Sequence, residues 1–129
     1  MMNASQQAKQ RGARCYAAKD YANAKTYFTE AIERADGNDM DLHLYHSNRC
    51  ATYLQLGRWR EALEDAEATV QIKPGWAKGW SRLGACLERT GEGYHSSDRR
   101  GEAAAEYARA AELDPGRPPP RQSDGLDAV

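Results

Sequence analysis

Apolar and small residues recur at helical spacing along most of the chain. The stretch after Pro74 carries large, apolar, small and large side chains in turn, at Trp80, Leu83, Gly84 and Leu87. Steps of three or four residues place these side chains on one face of a helix. Ala77 starts this segment, a similar segment begins 34 residues earlier at His43, and another begins at Ser5. The chain is therefore predicted to consist of repeated helical units.

Each unit is predicted to contain two helices that cross closely. The eighth position of each unit is small, as close crossing requires, and the residues are Gly12, Cys50 and Gly84. The second helix of each unit has alanine at position twenty and, in two of the three, an aromatic residue at position twenty-four. These pairs are Ala24 with Phe28, Ala62 with Ala66, and Ala103 with Tyr107. The predicted helices span 5–18, 20–34, 41–56, 58–72, 77–90 and 100–113.

Local signals punctuate these helices. Asp20 can cap the second helix by accepting from its free N–H groups, and Gly57 suits a left-handed turn after the third. Pro74 and Pro115 are expected to stop the fourth and sixth helices.

Two segments carry a more specific pattern, LYHSNRCATYLQLG at 44–57 and KPGWAKGWSR at 73–82. They resemble tetratricopeptide repeat (TPR) domains of the co-chaperone type, typified by the Hop/Sti1 stress-inducible adaptor family. The resemblance implies an all-α fold, a right-handed superhelical stack of three helix-turn-helix repeats over residues 5–115. The repeats would span about 5–38, 43–76 and 77–115, after an N-terminal flank at 1–4.

Two places depart from that pattern. An insert at about 92–100 is rich in Gly and Ser and is expected to form a loop within repeat three. It is either a solvated loop or a second contact surface formed by Tyr94, His95, Arg99 and Arg100. The tail at 116–129 contains three consecutive prolines, so we expect it to be flexible and to provide no clear capping helix. A neighbouring molecule is then expected to cover Ala103, Tyr107 and Ala110.

Length and charge narrow the function. The 129 residues suit one domain, and a net charge of −1 gives no reason to expect nucleic acid or a membrane as partner. We expect a cytoplasmic protein, because no segment has the apolar character of a membrane span or a signal peptide. Three cysteines without a CxxC pair, Cys15, Cys50 and Cys86, are expected to be reduced packing residues.

The first helices of stacked TPR pairs line a concave groove, where exposed residues would meet a ligand. The groove-facing positions carry three cations and one amide, at Lys9, Asn48, Lys78 and Arg82. Such a cluster in a nearly neutral protein suggests an anionic ligand. The resemblance implies a carboxylate clamp for the EEVD-type C-terminal tail of cytosolic heat-shock chaperones of the seventy- or ninety-kilodalton class. The asparagine expected at a fifth clamp position is replaced by Ala13, while Tyr16, Ser81 and Ala85 are expected to line the groove.

Other functions find less support. We expect no enzyme and no cofactor, because catalytic and phosphate-binding motifs are missing from the sequence. His43 and His46 have metal-compatible spacing but lack further ligands, so packing is expected instead. The tryptophans Trp59, Trp76 and Trp80 are assigned to the core, and the acids Glu61, Glu64 and Asp65 to a solvated face. The alternative function is a TPR scaffold or assembly protein that binds a different partner or associates weakly with itself through its uncapped C-terminal end. In a variant of this hypothesis the tail, 126–129, enters a neighbour's clamp.

Overall fold

The computed structural model describes residues 1–94, 97–116 and 126, and in 91–102 only the backbone. In this part of the chain six helices follow one another: α1 (Ala4–Ala17), α2 (Tyr21–Arg34), α3 (Leu42–Gln55), α4 (Trp59–Ile72), α5 (Ala77–Tyr94) and α6 (Ser97–Leu113). Each helix packs on the next in sequence, so three helical hairpins stack in a row, and α3 also touches α5. None of these helices is both long and apolar enough to cross a membrane.

The helix ends follow local chemistry. At the start of α1, Asn3 and Gln6 each accept a hydrogen bond from the other's backbone N–H, which forms a capping box. The predicted cap at Asp20 is confirmed, since its carboxylate accepts from the Asn23 N–H at 3.4 Å. Gly57 has φ 71°, which confirms the predicted left-handed turn. Helices α4 and α6 both end two residues before a proline, as expected.

The longer connection between α2 and α3 is held by aspartates. The carboxylate of Asp36 accepts from the Asn38 N–H at 2.8 Å, and that of Asp39 from the Asp41 N–H at 2.9 Å. These short-range bonds stabilise turns without a regular element. The hydroxyl of the buried Tyr45 also donates to Asp39 at 3.1 Å, which fastens the connection to α3.

The two helices of the outer repeats meet where one of them has no side chain. A Cβ atom built on Gly12 would lie 2.7 Å from the Phe28 ring, and one built on Gly84 would lie 2.5 Å from the Tyr107 ring. In the middle repeat the same positions hold Cys50 and Ala66, both fully buried. In the middle repeat the first helix thus carries a larger residue than the glycine of the outer repeats, and the second helix carries a smaller residue than their aromatic ring. The total volume between the paired helices is limited in each repeat.

The predicted loop within repeat three takes a different form. Helix α5 continues to Tyr94 and α6 already begins at Ser97, so most of the 92–100 insert lengthens two helices. Continuing a helix satisfies the backbone N–H and C=O groups that a loop would leave to water. The contacts expected of the insert's side chains fall outside the described part of the structure.

The expected exposure of one α6 face is wrong. Ala103 and Ala110 are buried and Tyr107 is half-buried, because this face packs against α5 with the Tyr107 ring over Gly84. The solvent-facing side of α6 instead carries alanines, at Ala104, Ala105, Ala108 and Ala111. The tail prediction concerns 117–125 and 127–129, which lie outside the described residues.

Asp65 was assigned to a solvated face, and this is wrong. It is 3% exposed, and its two carboxylate oxygens accept from Arg49 Nε and Nη2, both at 2.8 Å. His46 Nδ1 lies 3.0 Å from the same carboxylate, and Arg49 Nη1 donates to Thr29 at 3.2 Å. The network joins α2, α3 and α4. The hydrogen bonds and charge of Asp65 raise the pKa of Arg49 above its ordinary value, against the opposing effect of burial.

Replacing Gly84 with alanine is expected to lower the free energy of unfolding by about 1–3 kcal/mol. The new methyl group would overlap the Tyr107 ring, and this cost exceeds the gain in helix propensity. Urea denaturation would measure the change. Gly37→Ala is the control, since nothing lies within 4 Å of its built Cβ. Equal stability of the two variants would contradict the close approach of α5 and α6.

Replacing Asp65 with asparagine is expected to lower the free energy of unfolding by about 3 kcal/mol, because Arg49 would lose its counter-charge in a largely buried place. The matched control is Glu64→Gln, which removes an exposed carboxylate from the same helix. Thermal and urea unfolding would measure both. A loss no greater than that of the control would show that the network contributes little to stability.

Candidate functional site

The four predicted ligand-binding residues all lie on the first helices of the pairs. Lys9 is on α1, Asn48 on α3, and Lys78 and Arg82 are one turn apart on α5. Lys9 and Lys78 are half-buried, so part of each side chain is open to solvent. Asn48 and Arg82 are 1% and 0% exposed, so the expectation that groove residues are exposed is wrong for these two. Neighbouring helices cover them, which helical spacing alone does not reveal.

A hydrogen bond joins two of the three first helices at this place. Arg82 Nε on α5 donates to the hydroxyl of Ser47 on α3 at 3.3 Å, next to Asn48 in sequence. Ser81 and Ala85 were predicted to line the groove. Both lie close to Arg82 in sequence, and both are buried, with 3% and 4% of their surface exposed. They therefore belong to the packing around Arg82 and not to open surface. Sequence reasoning missed Ser47, although it holds the same repeat position as Lys9 and Ser81.

Lys9 lines a separate cavity of about 260 Å³ between the start of α1 and the start of α3. The other lining residues are Met2, Gln6, Gln10 and Asp41. Lys9 therefore shares its surroundings with a carboxylate, which moderates the positive potential on this side. Asp41 was not predicted as part of the site, because it precedes the repeat that begins at His43.

The remaining predicted groove residues lie further along α1. Ala13 is half-buried and follows Lys9 by one turn, so its methyl group shares the Lys9 face. Tyr16 is also half-buried, and its hydroxyl accepts from Gln55 Nε2 on α3 at 3.3 Å. This bond links the C-terminal ends of α1 and α3. Hydrogen bonds thus join α1 to α3, through Tyr16 and Gln55, and α3 to α5, through Ser47 and Arg82.

The chemistry of these residues suits binding of an anion. Lysine and arginine offer only donors, and an asparagine amide adds N–H donors to a carboxylate. A buried guanidinium forms stronger hydrogen bonds to a carboxylate than an exposed one, because water competes less. Within the described residues, no group of three His, Cys, Asp or Glu side chains could hold a metal ion.

The remaining histidine and tryptophan predictions concern packing. The rings of His43 and Trp76 meet edge to face, with centroids 4.8 Å apart, and His43 is buried. Trp59 and Trp80 pack against the main core cluster, which confirms their assignment to the core. Trp80 also donates its Nε1–H to the carbonyl of Pro74 at 2.7 Å, so the proline turn is fixed to α5.

Stacked helical hairpins whose first helices carry the candidate residues are the fold of a TPR domain. Solved structures share the fold. The Arabidopsis OM64 TPR domain has a TM-score of 0.76 at 28% identity, over 94% of this chain and 91% of that one. The Sgt2 TPR domain from Aspergillus fumigatus has a TM-score of 0.75 at 27% identity, over 95% of this chain and 75% of that one. The second TPR of Spaghetti (RPAP3), bound to HSP90 peptide SRMEEVD, has a TM-score of 0.71 at 23% identity, over 85% of this chain and 92% of that one.

Curated relatives give the family. Heat shock protein STI1 of Saccharomyces cerevisiae is 38% identical over 121 residues, which is 94% of this chain and 18% of that protein. The Hsp70-Hsp90 organizing protein of Triticum aestivum is 38% identical over 109 residues, 84% of this chain and 17% of that protein. The chain belongs to the TPR domains homologous to those of Sti1/Hop, Sgt2 and related co-chaperones. It spans less than a fifth of these two relatives' length, and no family model matches it.

Proposed function

We propose that this domain is an adaptor that binds the acidic EEVD-type C-terminal tail of cytosolic heat-shock chaperones, of the seventy- or ninety-kilodalton class. The carrying observation is the placement of three cations and one amide on the first helices of all three pairs, with Arg82 bonded across to α3. The names of the relatives and the solved complex of a TPR domain with an HSP90 peptide support this proposal. The site of action would be the cytoplasm, where such chaperones are found.

In this proposal Lys9 and Asn48 hold the terminal carboxylate, while Lys78 and Arg82 hold the acidic side chain and the backbone before it. Asn48 and Arg82 would act from the floor of the groove and the two lysines from its walls, as their burial suggests. The half-buried Tyr16 would shape the groove, while the buried Ser81 and Ala85 would support it from within the packing. Charge-assisted hydrogen bonds from these donors would make a free C-terminus part of the recognised feature.

Ala13 is the weak point of the proposed clamp. An asparagine here would add an N–H donor on the face that already carries Lys9. A hydrogen bond to a charged group contributes about 1.5–3 kcal/mol, and each 1.4 kcal/mol changes affinity about tenfold. We therefore propose that this domain binds such tails more weakly than a five-residue clamp would.

A scaffold function is the second candidate. The exposed side of α6 consists largely of alanines, and Leu113 at its end is 45% exposed. A second protein or a second copy of this chain could pack on these alanines, beside the exposed Arg109 and Glu112. In that case mass would increase with protein concentration in light scattering, and substitution of Lys78 would leave association unchanged.

Calorimetric titration with a peptide ending Met-Glu-Glu-Val-Asp would test the adaptor proposal. We expect the free acid to bind with a Kd of about micromolar order and the C-terminal amide to bind at least about tenfold more weakly. Lys78→Ala should weaken binding of the free acid, and since Lys78 is half-buried this change should not unfold the domain. Lys73→Ala, which removes an exposed lysine before α5, is the charge-matched control. If the free acid and the amide bind equally, or neither binds, the clamp is rejected and the scaffold becomes the first candidate.

Restoring the fifth donor should strengthen binding. Ala13→Asn is expected to increase the affinity for the free-acid peptide about tenfold or more, and to leave binding of the amide nearly unchanged. Ala22→Asn, at an exposed position on α2, controls for a general effect of an added amide. An unchanged affinity for Ala13→Asn would place the terminal carboxylate away from this part of α1.

A further inference from the structure

Two cysteines from different repeats meet beneath the groove. Cys50 on α3 and Cys86 on α5 are both 0% exposed, and their sulfur atoms are 2.8 Å apart. Both are free thiols in this structure. A disulfide bond is about 2.0 Å long, so a shift of less than about 1 Å would bring the sulfurs to bonding distance. Packing alone, as expected from the sequence, does not account for such a close approach.

We propose that Cys50 and Cys86 form a reversible intramolecular disulfide that fastens α3 to α5. These helices contact each other much less than each contacts α4, which lies between them in sequence. A covalent bond would therefore add a constraint where packing supplies little. It would also close a loop of more than thirty residues, and closing a loop of this size restricts the unfolded chain strongly.

The surroundings connect this pair with the candidate site. Cys86 follows Arg82 by one turn on α5, and Cys50 follows Ser47 by about one turn on α3. Arg82 donates to Ser47, so the proposed disulfide lies one turn from a polar bond between the same two helices. The pair would fix the separation of α3 and α5 close to the residues proposed to bind the peptide. The disulfide itself does not depend on what the groove binds.

The reaction needs a small oxidant, and a peroxide satisfies its balance. One of the two thiols would reduce hydrogen peroxide, forming a sulfenic acid and releasing one water. The sulfur of the other cysteine would then displace the hydroxyl group, forming the S–S bond and releasing a second water. Two electrons pass from the sulfurs to the peroxide, and a dithiol reductant reverses the change.

Burial should make this reaction slow and selective. Burial and the neighbouring Cys86 thiol raise the pKa of Cys50 well above its ordinary value, while the Arg82 charge opposes this shift in part. The reactive thiolate is therefore rare at neutral pH, and oxidant must enter by local opening of the stack. The sulfur atoms remain adjacent once one of them has reacted. Cys15 on α1 is half-buried and lies in another repeat, so it serves as an internal comparison.

Alkylation and intact mass would test the proposal. The full chain carrying Cys15→Ser is treated with hydrogen peroxide, quenched, unfolded and alkylated with a maleimide. We expect a monomer two hydrogens lighter than the reduced protein, without alkyl groups, that regains two reactive thiols after dithiothreitol. The matched control also carries Cys86→Ser and should form no intramolecular disulfide, so no product two hydrogens lighter than the reduced protein should appear. Peptide mapping of the unsubstituted chain should show the same 50–86 link, so the assignment does not depend on the variants.

The equilibrium constant for disulfide formation distinguishes a pair that the fold brings together from a pair that forms by chance in the unfolded chain. In glutathione redox buffer, the constant for disulfide formation should be about 10²-fold larger in the folded protein than in concentrated guanidinium chloride. The oxidised form should correspondingly resist urea better than the reduced form. Equal constants, two alkylated thiols after peroxide treatment of the folded protein, or oxidation to sulfinic acid without a disulfide would each overturn the proposal.

Discussion

The close approach of the two helices in each repeat is the constraint on which the rest of the structure depends. In the first and third repeats a glycine on the first helix faces an aromatic ring on the second, at Gly12 with Phe28 and Gly84 with Tyr107. The backbone of the first helix therefore lies against the ring, and its rotation about its own axis is fixed. Once that rotation is set, the opposite face of the helix is fixed as well. The directions of Lys9 on α1 and Lys78 on α5 therefore depend on the packing of Gly12 and Gly84, because the rotation of a helix sets the direction of all its side chains.

Much of the fold could be predicted because its determinants are local. Asp20, Gly57 and the two prolines act on backbone groups a few residues away, and their effects are visible in the sequence. Asp65 was misassigned for the opposite reason. Its partners Arg49 and His46 are 16 and 19 residues away on another helix, and no spacing rule distinguishes a carboxylate that meets them from one that meets water. The loop predicted for the insert at 92–100 was wrong because glycine and serine favour loops locally, whereas α5 and α6 continue through most of this segment.

The candidate site divides in the same way. Repeat positions predicted the helices and faces that carry Lys9, Asn48, Lys78 and Arg82. Repeat positions did not predict how deeply each of these side chains is buried, because the exposure of a side chain depends on the helix packed beside it. Arg82 is the clearest case, since its long side chain turns towards Ser47 on α3 and is fully covered there. Asp41 was missed because it lies before the repeat and meets the Lys9 cavity only through the fold.

The enclosure of Arg82 means that the domain carries the desolvation of this charge in its folded state before any ligand arrives. An acidic peptide that reached Arg82 would meet a cation already ordered and stripped of water, so little side-chain freedom would remain to be lost. Because Arg82 also joins α5 to α3 through Ser47, occupancy of the site would appear as slower opening of α3 from α5.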